Sequence, residues 1–196
     1  MALERFPQIK SLAEKIGEKA YKDPYLCYEE SLVKQIGFLL RKKVVLKTVE
    51  KSLSDGFVSF LEPLDLLVVG VCIELTEERR SFVIRHEVGH LIIAHYNLLH
   101  LKDENFTFKA RGETLFFKND RWGFLMNRLI NPENGKEFGY RWYRRWNKRS
   151  WIGSEFYGRY CVVEKLCNEI SEYLGEQYRE LKIIDQRKQF LLPLVF

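Results

Sequence analysis

The residues best suited to chemistry form an HExxH sequence, in which His86 and His90 flank Glu87. Histidines four positions apart lie about 40° apart around an α-helix, so both imidazoles can reach one ion from the same face. Glu87 is turned about 100° from His86, which suits a carboxylate that holds water rather than the ion. The spacing predicts a Zn²⁺ site with two histidine ligands and Glu87 as general base.

A catalytic zinc needs a third protein ligand and leaves one position open for water. His95 is turned to roughly the opposite face of the predicted helix from His86 and His90. His95 and His100 are therefore interpreted as surface or core histidines. The acidic candidates further along the chain are Glu104, Glu113, Glu164, Glu169 and Glu172. Because Glu164 and Glu169 fall on opposite borders of one apolar helical stripe, only one of them can face the metal.

The elements that must position these residues follow from the apolar pattern. Helical spacing over 9–20 and 32–40 predicts two N-terminal helices, and β-branched and aromatic residues over 44–49, 57–61 and 66–73 predict three strands of a small antiparallel sheet. Thr76 is a predicted N-cap of a central HExxH helix, and helical spacing over 160–181 predicts a long C-terminal helix. The predicted fold class is α+β, as a single domain over 1–196.

The segment 101–159 is predicted to be an insertion rich in basic and aromatic residues, with a hairpin in 106–117 and a short helix in 122–130. Six basic side chains and one acidic one lie in 139–159, so this stretch accounts for the whole net charge of +5. Within it, arginines alternate with tryptophans: Arg141, Trp142, Arg144, Arg145 and Trp146.

Two interpretations of this basic stretch stay open. Arginines among aromatic rings are typical of surfaces that bind phosphates and stack on bases, which would make 139–159 a nucleic-acid contact. Alternatively, Trp142 and Trp146 pack inward from a helix while the arginines stay solvated, and the insertion is structural or gates substrate entry.

The composition excludes several classes of protein. No apolar run reaches the ~18–20 residues of a membrane-spanning helix. The first ten residues, MALERFPQIK, lack the regions of a secretory signal, which predicts the cytoplasm. The cysteines form no CxxC pair, so buried thiols are expected rather than disulfides or a zinc ribbon: Cys27, Cys72, Cys161 and Cys167.

Two motifs, in this order, resemble those of the ImmA/IrrE family of zinc-dependent endopeptidases. The stretch RSFVIRHEVGH, ending at His90, resembles the family's lead into an HExGH helix, and EKLCNEIS, beginning at Glu164, resembles its later ExxxN helix. The resemblance covers roughly 46–174. It implies a minimal zincin-like fold, Zn²⁺ as cofactor and Glu164 as third ligand. Asn168-Glu169 also resembles the Asn-Glu pair of thermolysin-like gluzincins, which keeps Glu169 open as a rival ligand.

The resemblance further implies a metallo-endopeptidase with a narrow protein substrate, such as a helix-turn-helix transcriptional repressor supplied as a separate partner. Two alternatives stay open. One is a nucleic-acid-binding module on a zincin fold with a structural or vestigial metal. The other is a DNA-associated metalloprotease of the SprT type, which the missing zinc-ribbon cysteines disfavour. The sequence predicts no oligomeric state.

Overall fold

The computed structural model of the chain describes residues 3–50, 55–100, 107–110, 113–117, 129–130, 137–138 and 155–191, with side chains at 3–50, 55–59, 61, 63–96 and 164–187. Within these residues the fold is α+β, as predicted. The described residues form four α-helices: α1 (Pro7–Tyr21), α2 (Tyr28–Leu40), α3 (Glu77–His100) and α4 (Glu155–Leu191). The first sheet contains β1 (Lys43–Val49), β2 (Gly56–Leu61) and β3 (Leu66–Cys72).

The two N-terminal helices form where the apolar spacing predicts them. α1 begins at Pro7, whose fixed φ suits a first helical turn and whose missing N–H would have no partner there. α2 ends at Leu40, and the left-handed φ of 52° at the following residue, Arg41, lets the chain turn into β1. Both helices contribute buried apolar side chains to the core beside α3.

The first sheet is mixed, so the predicted antiparallel sheet is wrong for one of its two pairings. Its strand order is β1-β3-β2, with β1 parallel and β2 antiparallel to β3. β3 is central and its inward residues Leu67, Val69 and Val71 are fully buried. A strand's period of two identifies the side chains that face the core, but it does not specify which strand becomes its neighbour or in which direction.

The central helix α3 starts after Thr76, whose hydroxyl accepts a hydrogen bond from the backbone N–H of Arg79 at 3.3 Å, confirming the predicted N-cap. α3 contacts β2, β3, α2 and α4. Val88, Leu91 and Ile92 are fully buried among them. α3 is therefore held on several sides, which fixes the direction in which its polar residues point.

α4 spans 37 residues and packs against both α3 and α1. Two hydrogen bonds fix its position along its neighbours: Ser171 Oγ donates to the carbonyl of Phe82 at 2.7 Å, and the hydroxyl of Tyr28 donates to the carbonyl of Leu174 at 3.1 Å. Further along, the Tyr21 hydroxyl donates to Asp185 at 2.8 Å. These contacts set which α4 residues face the HExxH sequence.

A second, antiparallel sheet has the order β4-β5-β6-β7, formed by β4 (Thr107–Ala110), β5 (Glu113–Phe117), β6 (Leu129–Ile130) and β7 (Glu137–Phe138). The hairpin predicted in 106–117 is confirmed by β4 and β5. The helix predicted in 122–130 is wrong at its end, because pairing with β5 makes 129–130 a strand. Among the described helices, none has an apolar stretch long enough to cross a membrane.

Candidate metal centre

Side chains from α3 and α4 converge where the two helices face each other. His86 Nε2 lies 3.2 Å from Oε2 of Glu164, and His90 Nε2 lies 3.4 Å from its Oε1. The two Nε2 atoms are 3.1 Å apart. Two imidazole nitrogens and the two oxygens of one carboxylate, from distant parts of the sequence, therefore face one another.

These separations match the spacing around a small divalent cation. Metal–nitrogen and metal–oxygen bonds of about 2.0–2.1 Å at a tetrahedral angle hold ligand atoms about 3.3–3.4 Å apart. The nitrogen–nitrogen distance of 3.1 Å lies close to that range, as do the nitrogen–oxygen distances of 3.2 and 3.4 Å, each of which involves a different oxygen of Glu164. The residues present thus fit a metal ion of this size.

The orientation of His86 is set by Asn168, which follows Glu164 by one turn of α4. His86 Nδ1 lies 2.8 Å from the amide oxygen Oδ1 of Asn168. Because an amide oxygen only accepts, Nδ1 carries the proton and donates it, so Nε2 is the ring nitrogen that faces Glu164 and His90 and can bind a metal. The sequence offered a signal for this role, since Asn168 and Glu164 have the same i, i+4 spacing as the histidines.

The two histidines differ in their pKa. Burial lowers the pKa of His90 to about 4, so its imidazole is neutral at physiological pH and has a free lone pair. Burial also opposes the charged form of His86, but the hydrogen bond and charge of Glu164, with the charge of Glu87, outweigh it and raise its pKa. A bound cation would replace the proton as the positive partner of Glu164.

Glu87 is buried beside this cluster, with 7% of its surface exposed. Burial raises its pKa to about 7, the charge of His86 opposes the rise and the charge of Glu164 adds to it. At the start of β2, a Cβ on Gly56 would lie 3.0 Å from Oε1 of Glu87 and 2.4 Å from Val83 Cγ1. Only glycine leaves room there for Glu87, a close approach that the sequence alone did not reveal.

Cys167, which is predicted from the sequence only as a buried thiol, adds a sulfur to the cluster. His86, His90 and Cys167 offer ligand atoms that all lie within 4.8 Å of one another, so this group could hold a metal ion. Cys167 is free, as predicted, and fully buried, and burial raises the pKa of its thiol well above the ordinary value. The sequence contained a signal for this sulfur, because Cys167 follows Glu164 by three residues and so lies close to it on the same helix.

The other predicted candidates lie elsewhere or outside the described side chains. Glu169 Oε2 accepts a hydrogen bond from the backbone N–H of Leu3 at 2.7 Å, on the side of α4 that faces the N-terminal turn. Glu172 is exposed, and His95 is half-buried further along α3. The side chains outside the described part of the chain are those of His100, Glu104, Glu113, Arg141, Trp142, Arg144, Arg145 and Trp146.

A largely buried ion pair lies next to the metal cluster and connects the surrounding helices. Arg85, next to His86, contacts Glu29 of α2 through Nη1 and Oε1 at 2.8 Å, and the two side chains are only 14% and 17% exposed. Its Nε also donates to the carbonyl of Ser171 on α4 at 3.1 Å. Arg85 therefore links α2, α3 and α4 at the level of the metal cluster.

Helices α3 and α4 pack closely against each other at Gly89. A Cβ there would lie 3.2 Å from Cα of Cys167 and 3.4 Å from its carbonyl oxygen. Both of these atoms belong to the backbone of α4 and are unable to move aside without moving the helix. The glycine of the HExxH sequence thus allows Glu164 to come within reach of both histidines.

No protein-family model, curated protein or solved structure matches this chain. The resemblance to the ImmA/IrrE family therefore stays a prediction drawn from two motifs.

Proposed function

We propose that the chain is a zinc-dependent metallo-endopeptidase in which His86, His90 and Glu164 hold Zn²⁺ and Glu87 is the general base. The observation that supports it is the set of 3.1–3.4 Å separations among two imidazole nitrogens and one carboxylate. Two histidines and one glutamate are a donor set typical of catalytic zinc, and three protein ligands leave a position for water.

Zinc held by these side chains would supply a Lewis acid that polarises a carbonyl and acidifies water. Glu87 accepts a proton from the attacking water while the water oxygen bonds to the carbonyl carbon. When the peptide C–N bond breaks, Glu87 delivers that proton to the leaving nitrogen, so the carboxylate ends as it began. The buried position of Glu87 beside His86 suits this transfer, because it keeps bulk water from competing for the proton.

An extended peptide is supported as the substrate by the edge of the first sheet. Within the described residues β2 pairs with β3 only, so its other edge offers backbone N–H and C=O groups to a further strand. Gly56, at the start of β2, approaches Glu87. The resemblance to ImmA/IrrE proteins supports a narrow, cytoplasmic substrate such as a helix-turn-helix repressor.

The test compares Glu87→Gln with wild type and with Glu172→Gln, an exposed glutamate on α4. We expect Glu87→Gln to retain bound zinc and to lose cleavage of a proteome-derived peptide library by at least ~100-fold, since general-base catalysis contributes about 10²–10⁴. The Glu172→Gln control should match wild type. Cleavage by Glu87→Gln at the wild-type rate, measured from new N-termini, would contradict the mechanism.

A second candidate function rests on the sulfur of Cys167, which lies with the two histidines within one 4.8 Å group. If Cys167 and Glu164 both bound the metal, four protein ligands would close its coordination sphere and the site would be structural. The protein would then be a binding module, with nucleic acid at 139–159 as the predicted partner.

Cobalt distinguishes the two candidates. A Co²⁺-loaded chain with a thiolate ligand absorbs strongly in the near ultraviolet, and Cys167→Ser would remove that band. The endopeptidase proposal expects no such band, and it expects Cys167→Ser to retain the metal while Glu164→Gln loses it.

A further inference from the structure

A groove of about 830 Å³ lies between α2 and β1, at the edge of the first sheet away from β2. We call it the α2–β1 groove. Residues 43–47 of β1 form one wall, and one face of α2 forms the other, with Val33, Gly37 and Phe38 along it. A Cβ on Gly37 would lie 3.2 Å from Cγ2 of Val44, so helix and strand already meet at the base.

The lining of the α2–β1 groove is strongly basic. Among the described residues that line it, one is acidic, Glu30, and five are basic: Lys34, Arg41, Lys42, Lys43 and Lys47. Lys34 pairs with Asp23 at 2.7 Å, and Lys42 pairs with Asp65. Among the described side chains, no ion pair is found for the other three cations, which are exposed. The groove therefore favours an occupant with several carboxylates.

The strand wall of the groove is an open edge. In the order β1-β3-β2, the described part of β1 pairs with β3 alone. Alternate residues of an edge strand direct their N–H and C=O groups away from the paired side. Lys43, Val45 and Lys47 are alternate residues and share one face of β1. An added strand would thus meet backbone hydrogen-bond partners and two lysines with the same periodicity.

An exposed aromatic ring completes the groove. Phe38 is 68% exposed on the helix wall, and Leu26 beside the groove is 37% exposed. An apolar side chain of an occupant would cover this surface. A single ring of this kind does not form the series of stacking platforms that single-stranded nucleic acid uses, which favours a peptide over an oligonucleotide.

We propose that the α2–β1 groove binds an extended acidic segment of a partner protein, which adds to β1 as a further strand. Carboxylates of the segment pair with Arg41, Lys43 and Lys47, and an apolar side chain lies on Phe38. The site is separate from the metal cluster and does not depend on the proposed endopeptidase activity.

The probe is a fluorescein-labelled peptide of eight residues that alternates glutamate and valine, and its anisotropy is followed with the full chain. We expect saturable binding that weakens at least about tenfold in the double variant Lys43→Glu/Lys47→Glu, because two attractive charges become repulsive. The matched control is Lys182→Glu/Arg187→Glu, which makes the same change in net charge on exposed positions of α4. An equal loss of peptide affinity in both variants would show that the α2–β1 groove is not the binding site.

Strand addition is tested with the same peptide N-methylated at alternate residues, which keeps its charge but removes the outward N–H groups. We expect its binding to fall at least about tenfold. Unchanged binding of the N-methylated peptide, or displacement of the acidic peptide by an equal concentration of oligothymidylate, would overturn the proposal. Phe38→Ala gives a further check: the variant should fold normally, since the ring is exposed, and should bind the peptide more weakly.

Discussion

At the scale of single residues, the direction of the His86 ring is what makes a metal cluster possible. A histidine has two ring nitrogens, and the hydrogen bond made by one decides which lone pair is free at the other. Asn168 accepts a hydrogen bond from Nδ1 at 2.8 Å, which turns Nε2 toward Glu164 at 3.2 Å. One of the two histidines on α3 is therefore oriented by an amide on α4.

Replacing Asn168 tests this orientation. We expect Asn168→Ala to lower zinc affinity about 10–100-fold, the usual cost of losing a group that orients a ligand. Asn168→Asp retains an acceptor for Nδ1–H and should restore most of the affinity. The measurement is competition with a chromophoric chelator, and an affinity in Asn168→Ala equal to that of wild type would show that the hydrogen bond does not position the ring.

At the scale of elements, the distance between α3 and α4 decides whether the ligands meet. Gly89 packs against the backbone of Cys167, and Arg85 links both helices to α2. The first contact sets how closely the helices approach, and the second resists their separation. The Gly89 contact and the Arg85 contacts can be tested separately.

Gly89→Ala should force the two helices apart by a few tenths of an ångström. Alanine would gain up to about 1 kcal/mol in helix propensity, but overpacking against backbone that is unable to relax costs about 1–3 kcal/mol. We expect a net loss of stability in urea unfolding, together with weaker zinc binding. In the control Gly17→Ala, the new methyl meets the ends of the Gln177 and Leu174 side chains rather than backbone, so the spacing of α3 and α4 and the zinc affinity should be unchanged. Wild-type zinc affinity in Gly89→Ala would contradict this account.

The Arg85–Glu29 pair should stabilise the fold much more than an exposed pair does. A double-mutant cycle with Arg85→Met and Glu29→Gln is expected to give a coupling free energy of about 1–2 kcal/mol, because both side chains are largely buried. The matched control is Arg79–Asp55, at 2.8 Å but 52% and 48% exposed, for which at most about 0.5 kcal/mol is expected. Equal coupling energies would indicate that burial does not strengthen the first pair.

At the scale of the whole molecule, a metal would connect the central helix to the last one. His86 and His90 belong to α3 and Glu164 to α4, and α4 also packs on α1. An ion at this position would therefore stabilise the native fold without binding the unfolded chain as tightly.

Removing metal should lower the thermal midpoint. With free zinc at 1,000 times its Kd, binding adds about 4 kcal/mol, and for a chain of this length that corresponds to roughly 8–16 °C. We expect a chelator to lower the Tm of the wild type by roughly 8–16 °C. It should have little effect on the Tm of Glu164→Gln, which lacks one metal ligand. The same drop in both proteins would mean that Glu164 does not hold the metal.

The sequence by itself determined the helices around 9–20 and 32–40, the three strands, the HExxH helix and its N-cap, because local periodicity and capping act over a few residues. It also determined that His86 and His90 share one face of α3. Only the tertiary structure decided that β1 runs parallel to β3, and that Glu164 lies beside the histidines while Glu169 holds the N–H of Leu3. Those outcomes depend on strand neighbours and on how two helices rotate against each other, which is decided by packing between residues far apart in the chain.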